Sequence, residues 1–358
     1  MHKRMTIQDI ANIAGVSSST VSRSLNDSSL VNDETKARIL KIAENGNFSF
    51  NATARSLVLQ RTGNVGLICP DSYDEYQYSL HLTLLINKIR RILEEEDLDL
   101  IVKFRHDTRE RNSIRQLINA HKVDALIIIN PDITRDEIQF IHGHHIPAVF
   151  VQAIPPGIDL TKENYIFADH VAGGTIATDH LIRLGHRKII CFTIDTPEGS
   201  FHERTEGYRL ALNDHNLLED KELIVAGDGT FEFAYDFVVR NAALFQDSDV
   251  TAIFSQTDIM ALGAIEGLWD INLTVPDDVA IVSYDDIGFG KDFRPRLTTV
   301  HQPRNRLAVA ACQRIGKMLS DDSDNDSLQK RIQPYLVVRE SCGAENEHVQ
   351  RRPNLPKK

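Results

Sequence analysis

Four cysteines in 358 residues, Cys69, Cys191, Cys312 and Cys342, are too few and too dispersed for a disulfide framework or a zinc site, and no Cys-x-x-Cys pair occurs. They read as single thiols. No apolar run approaches the ~20 residues that span a bilayer, so no membrane partner is expected. Met1-His2-Lys3-Arg4-Met5 is charged but leads into no apolar stretch. A secretory signal is therefore not expected, and the chain is placed in the cytoplasm. No Gly-x-Ser-x-Gly elbow, Walker loop or His-Glu-x-x-His pair is present. The chain reads as a non-enzyme without a cofactor or metal. Basic residues are in deficit as well: 40 Lys and Arg face 51 Asp and Glu, a net charge of −11. Taken alone, that sum argues against nucleic acid.

The distribution of charge reverses the argument. Residues 1–62 carry eight Lys and Arg against five acids, which leaves the head at +3 and the remainder at −14. Phosphate neutralisation is local, so a cationic head on an acidic body can still bind DNA. A charge of +3 is small, which favours a homodimer presenting two heads.

The head has a specific pattern. Ile7, Ile10, Ala11 and Ala14 follow helical spacing after Thr6, and Gly15 stands where a left-handed stop is needed. Ser17 is placed to cap a second helix that buries Val21 and Leu25. This spacing predicts a helix-turn-helix. Its second helix offers Ser18, Ser19, Ser22 and Arg23 on the outer face, with Thr20 and Asn26 nearby. Such helices lie in the major groove, where serine reads bases softly and arginine grips guanine or phosphate. A third helix is expected at about 33–45. A short helical stretch follows from Asn51, too short to be stable alone.

These segments, "TIQDIANIAGVSSSTVSRSLN", "NATARSL" and "GLICPD", together with "IPAVFV", "GGTIATDHLIRLGHRKI", "TDIMALGA", "VPDDVAIVSYDD" and "LTTVHQP", resemble the LacI/GalR family of bacterial transcription repressors. The resemblance runs from Thr6 to about Glu340. It implies a repressor on near-palindromic double-stranded operator DNA, controlled by a small, sugar-like effector. It also implies hinge contacts from Asn51, Ala54 and Arg55, with Leu57 as a wedge in the minor groove. Phe50 departs from the family, which usually places proline there. The alternatives left open are a ligand-binding module of the periplasmic sugar-binding type with weak or no DNA role and a regulator that answers to a purine or nucleoside.

Beyond Gly63, short apolar runs alternate with amphipathic stretches, which implies parallel sheets covered on both faces. The expected fold class is an all-α helix-turn-helix head plus an α/β body. The body follows the family's two doubly wound parallel-sheet lobes of periplasmic-binding-protein type. The expected boundaries are a head at 1–50, a hinge at 51–62, the body at 63–340 and a disordered tail at 341–358. Within the body, the first lobe is assigned 63–162 plus 292–321 and the second 163–291 plus 322–340. Ligands bind such sheets at the carboxyl ends of strands. Family positions there point to Arg204 and Asp258 as polar effector contacts, with Gln302, Tyr76, Asn130 and Gln152 as further candidates. Phe231 or Tyr76 would supply any stacking ring, because Gly229 follows Asp228 where the family often has an aromatic. Asp285-Asp286 reads as a loop near the lobe interface, Gly173-Gly174 as a weak anion signal, and His142, His144 and His145 as a solvated loop.

Overall fold

The computed structural model describes residues 5–25, 30–46, 48, 61–70, 79–104, 112–129, 132–152, 154–155, 157–195, 199–217, 220–246, 249–320 and 328–344. The expected contacts Asn26, Asn51, Ala54, Arg55, Leu57, Tyr76 and Asn130 lie outside the described residues. The chain divides into two compact units, Met1–Thr62 and Gly63–Lys358.

Among its described residues the first unit holds three helices: α1 (Ile7–Ala14), α2 (Ser18–Leu25) and α3 (Asp33–Asn45). Each start has a local cause. Thr6 and Asp9 form a reciprocal capping box at α1, Ser17 Oγ accepts from Thr20 N at 3.1 Å, and Asn32 Oδ1 accepts from Thr35 N at 2.8 Å. Gly15 ends α1 at φ 67, a conformation that costs a residue with Cβ. Ile10, Ala11, Ala14, Val21, Ile39 and Ala43 form the core between the helices.

The second unit runs in chain order through β1 (Asn64–Cys69), α4 (Ser79–Glu95), β2 (Asp99–Phe104), α5 (Ser113–Asn119), β3 (Ala125–Ile128), α6 (Arg135–Gly143), β4 (Ala148–Val151) and β5 (Asn164–Ala168). It continues with α7 (His170–Arg183), β6 (Lys188–Ile194), α8 (Ser200–Asp214), β7 (Ile224–Gly227), α9 (Phe231–Arg240), α10 (Ala242–Gln246), β8 (Val250–Ser255), α11 (Asp258–Asp270), β9 (Ala280–Asp285) and β10 (Thr298–His301). It ends with α12 (Arg304–Leu319), β11 (Gln329–Ile332) and β12 (Tyr335–Val337). Two six-stranded sheets result, ordered β11-β5-β4-β3-β1-β2 and β12-β10-β9-β8-β6-β7. Every pairing is parallel except β10 with β12. Each sheet is covered on both faces, with one apolar core on either side.

The expected lobe division changes in three places. β5 and β11 belong to the first sheet, and β10 belongs to the second. These are short strands, and two of them, "TTVH" and "QKRI", are polar. Nothing in such a strand's own pattern selects a sheet; the free edge it reaches does. The chain therefore crosses between lobes after Ala168, after His301 and after Ile332. Asn241 caps the end of α9 and separates it from α10. The expected tail also starts too early. Ser341 and Cys342 are buried, and Ser341 donates to Ile281 O at 2.7 Å.

Candidate functional site

The three crossovers bring polar side chains together between the lobes. His170 opens α7 directly after the first crossing, and Gln302 and Arg304 flank Pro303 at the second. Gln333 Nε2 donates to Asp169 Oδ2 at 2.7 Å, tying the third crossing to the first. Gln152 follows β4 at φ 70. Asp285 ends β9 at φ 115 and Asp286 follows at φ 50. Two consecutive non-glycine residues at positive φ are a strained turn, held here by their partners. His81 reaches the cluster from α4, and Arg204 from α8.

The contacts form a chain across the cleft. Gln152 Nε2 donates to Gln302 Oε1 at 2.9 Å, and Gln302 Nε2 donates to Asp285 Oδ1 at 2.6 Å. Arg204 Nη2 lies 3.7 Å from the same Asp285 oxygen. Its guanidinium carbon stands 3.9 Å from the Tyr284 ring centre and 4.8 Å from that of Phe201. Its Nη1 donates to Gln256 O. Gln256 is enclosed by the hydroxyls of Thr193 and Thr205. Arg304 is carried by a first-lobe helix but donates to Asp285 O and Asp286 O of the second lobe. Asp286 turns the other way and accepts from Arg339 at 2.6 Å, with His301 at 2.7 Å.

The site is dry. Asp285 sits above its ordinary carboxylate range because burial disfavours its charge, with Arg204 and Gln302 opposing. His81 and His170 are held well below the ordinary imidazole value, first by burial and then by neighbouring arginines. Both imidazoles are therefore neutral. Among the described residues, four buried side-chain atoms have no partner of ordinary hydrogen-bond geometry, His81 Nε2, His170 Nε2, Gln152 Oε1 and Thr178 Oγ1, although Gln152 faces His81 with its side chain and His170 with its backbone. The first three belong to this cleft. Buried polar groups are normally paired, so an unpaired group calls for an explanation.

Several residues expected as contacts have partners within the protein. Asp258 is fully buried at the start of α11, and its carboxylate accepts from Ser283 Oγ, from Thr299 Oγ1 at 2.6 Å and from Ile287 N at 2.7 Å. Burial, with Asp285 nearby, raises its pKa to about 7. It braces the β9 and β10 ends from behind. Phe231 stacks at 6.4 Å on Tyr235 and packs its backbone on Gly263 of α11. Gly173 and Gly174 allow close packing. A Cβ on Gly174 would strike Arg204 O, and one on Gly173 the Tyr284 hydroxyl. Arg204 pairs with neither acidic neighbour: Glu203 is bound by Arg331 in two contacts of 2.8 Å, and Glu206 by Arg209 at 2.6 Å. Among the triple histidines, His142 Nε2 lies 3.1 Å from Glu163, and His144 Nδ1 lies 2.9 Å from Phe140 O.

Sequence reasoning passed over His81, His170 and Arg304 and set Asp285 aside. Asp285 was reachable, because the strand-end rule selects the loop after β9. His170 and Arg304 gain meaning only once the crossovers are known, and no local signal marks His81.

In the head, Ser19 and Arg23 are exposed on α2, and Ser18, Thr20 and Ser22 are half-buried. Ser18 Oγ donates to Gln8 Oε1 at 2.8 Å, bridging α2 to α1. Ser17 and Thr6 serve as caps.

A helix-turn-helix unit followed by a two-lobed parallel-sheet body with a polar cleft at its crossovers defines a ligand-controlled DNA-binding regulator. Comparison with known proteins agrees. Residues 6–51 match the model for bacterial regulatory proteins of the lacI family, and residues 178–342 match a periplasmic binding protein-like domain. A Histophilus somni "HTH-type transcriptional repressor PurR" is 30% identical over 340 residues, covering 94% of this chain and 98% of that protein. A Bacillus subtilis "Probable HTH-type transcriptional repressor ExuR" is 31% identical over 320 residues, covering 88% and 92%. Among solved structures, a lac repressor dimer bound to operator and the anti-inducer ONPF superposes with a TM-score of 0.77 at 23% identity, covering 96% of this chain and 100% of that one. The regulator CelR in complex with cellobiose gives 0.68 at 25% identity, covering 94% and 100%. This chain belongs to the LacI family and is a DNA-binding transcriptional repressor with an effector-binding domain. Among the described residues, no helix is long and apolar enough to cross a membrane.

Proposed function

We propose that the repressor acts as a homodimer on a near-palindromic operator and that a small sugar-like effector, bound between the lobes, controls its affinity. The supporting observation is the cleft itself, in which Arg204, Asp285, Gln302 and Gln152 converge from both lobes while three buried polar atoms lack partners of ordinary hydrogen-bond geometry. Paired carboxylate, amide and guanidinium groups suit a polyhydroxylated ligand, each hydroxyl of which donates and accepts. The cellobiose found in CelR is a ligand of that kind. Asp258 acts on the effector indirectly, by holding the β9 and β10 ends in place.

The effector prefers one arrangement of the lobes and so shifts the spacing of the two hinges across the dimer. Such coupling is typically about 1–3 kcal/mol and is reciprocal: operator DNA changes effector affinity by the same factor. Ser19 and Arg23 read the half-site, with Ser18, Thr20 and Ser22 at its border. Thr6, Ser17, Asn26, Asn51, Ala54 and Arg55 complete the contact, and Leu57 wedges the operator centre.

The experiment is operator selection from random duplexes with the full chain, followed by binding in the presence of small-molecule fractions of a cell extract. Failure to enrich any site would sink the operator assignment. An operator affinity unmoved by every fraction would sink the effector assignment. Leu57→Ala should weaken operator binding and leave effector binding intact.

A further inference from the structure

The turn that aims Asp285 into the cleft is held from the other lobe. Arg304 is the first residue of α12, and that helix is fixed in the first lobe: Leu307, Ala308, Ala311 and Ile315 share one core with Leu85, Ile89 and Leu93 of α4. The guanidinium leaves that lobe. Arg304 Nη1 donates to Asp285 O, and Nη2 donates to Asp286 O at 3.0 Å, both at the end of β9 in the second lobe. Nη1 also donates to His81 Nδ1 of α4 at 3.1 Å, which steadies the side chain on its own side. One planar fork thus joins α4 and α12 to the end of β9.

Helix energetics do not account for an arginine here. The first turn of a helix carries the positive end of its dipole, which disfavours a cation. Nor is the turn an ordinary strand end. Successive carbonyls of a pleated strand point to opposite sides. Asp285 at φ 115 and Asp286 at φ 50 instead turn theirs toward one guanidinium. Backbone of this kind persists only where its surroundings hold it. Behind the turn the holding groups are second-lobe ones: Asp286 N donates to Thr299 Oγ1 at 3.2 Å, and the Asp286 carboxylate accepts from Arg339 at 2.6 Å. In front, Gln302 holds the Asp285 carboxylate, and Arg304 holds the backbone beneath it. Gln152 of the first lobe reaches the turn through Gln302, whereas Arg304 grips it directly. If the lobes move apart, α12 stays with the first and the turn with the second, so both carbonyl bonds must break.

We propose that Arg304 is a positioning residue that couples the two lobes: by gripping both carbonyls of the Asp285–Asp286 turn, it ties the aim of the Asp285 carboxylate to one arrangement of the lobes. This rests on the cleft reading above and adds the link through which an effector at Asp285 changes that arrangement.

The test is a distance between the lobes, measured without effector. The four native cysteines are buried, so Lys162→Cys in the first lobe and Lys221→Cys in the second, both exposed, can take nitroxide labels. Pulsed electron resonance on the labelled full chain, diluted into unlabelled chain, reads the distance. Arg304→Met keeps the stem and removes the fork, and should displace or broaden the distance. Arg306→Met loses the same charge from an exposed site and should match the wild type, with a similar melting temperature. Arg304→Lys keeps the charge without the fork and should recover the distance only in part. Should Arg304→Met not fold, the comparison is made with Arg304→Lys. With an extract fraction that shifts operator affinity of the wild type, Arg304→Met should also move the half-maximal dose at least about fivefold, the lower end of usual coupling between sites. An unchanged distance, or an unchanged dose, overturns the proposal and leaves the effector reading intact. A changed distance in a chain whose operator affinity no fraction moves keeps the link between the lobes and sinks the effector reading.

Discussion

Gln302 Nε2 donates to Asp285 Oδ1 at 2.6 Å, joining the second crossover to the end of β9. Gln302 is fully buried and its own carbonyl accepts from Gln152, so one side chain connects residues far apart in sequence. Gln302→Leu keeps the bulk but removes both bonds. Leaving Asp285 and Gln152 short of partners should cost about 1–3 kcal/mol. Denaturant unfolding of the full chain would measure it, and an unchanged midpoint would show that the link carries no weight.

The buried titratable groups give opposing pH trends. His81 and His170, joined by His180 and His186, have depressed values in the folded state. The unfolded chain binds more protons below its own value of about 6.5, so their stability is present above that pH and lost as pH falls. Asp258 is raised to about 7, and Asp285 is also raised. Their contribution is present below an unfolded value of about 3.9 and lost as pH rises toward 7. Between about pH 4 and 6.5 the two trends cancel in part. Asp258→Asn removes one of the opposing groups. Its melting temperature should therefore rise more steeply with pH in that window than that of the wild type. An unchanged dependence would mean that Asp258 titrates as an ordinary carboxylate.

Gly174 sits where α7 meets the backbone of Arg204. Gly174→Ala should force the helices apart, at a cost of about 1–3 kcal/mol. Because Arg204 moves with α8, the effector response should weaken as well. Thermal unfolding together with operator release would test both; a loss of stability with the response intact would separate packing from the site.

Arg331 on β11 and Glu203 on α8 form an ion pair between the lobes, with Arg331 well exposed. Such a pair adds little to stability, but it favours one arrangement of the lobes. Glu203→Gln should leave the melting temperature nearly unchanged while shifting the effector concentration at which operator binding changes. Operator-binding titrations against effector at low and high salt would reveal it, since the wild-type response should approach the variant's as salt rises.

Arg23 is exposed on α2. Arg23→Ala should weaken operator binding. If Arg23 grips a guanine, the loss should be about 1–3 kcal/mol at one base position; if it touches phosphate, the loss should be uniform and the salt slope should fall by about one. Binding to a set of single-base operator variants at several salt concentrations decides between the two. No change in either quantity would place α2 differently on the DNA.

The head was written in the local sequence. Thr6, Gly15, Ser17 and Asn32 are caps or stops whose action reaches only three or four residues, and the core positions follow helical spacing. The long apolar strands and amphipathic helices of the body were legible for the same reason: periodicity is a local signal. Arg204, Gln152 and Gln302 were found because they lie where strand ends or family motifs pointed. What only the tertiary structure decided is where the short polar strands go and what the crossovers bring together. β10 and β11 carry no pattern that selects a sheet, and their choice of edge sets the three crossings. Those crossings place His81 of α4 beside Arg304 and His170 beside Arg204, pairs separated by 223 and 34 residues. Asp258 shows the same limit. Its position at a helix start is visible in the chain, but whether its carboxylate faces a ligand or three protein donors depends on strands that arrive later in the sequence.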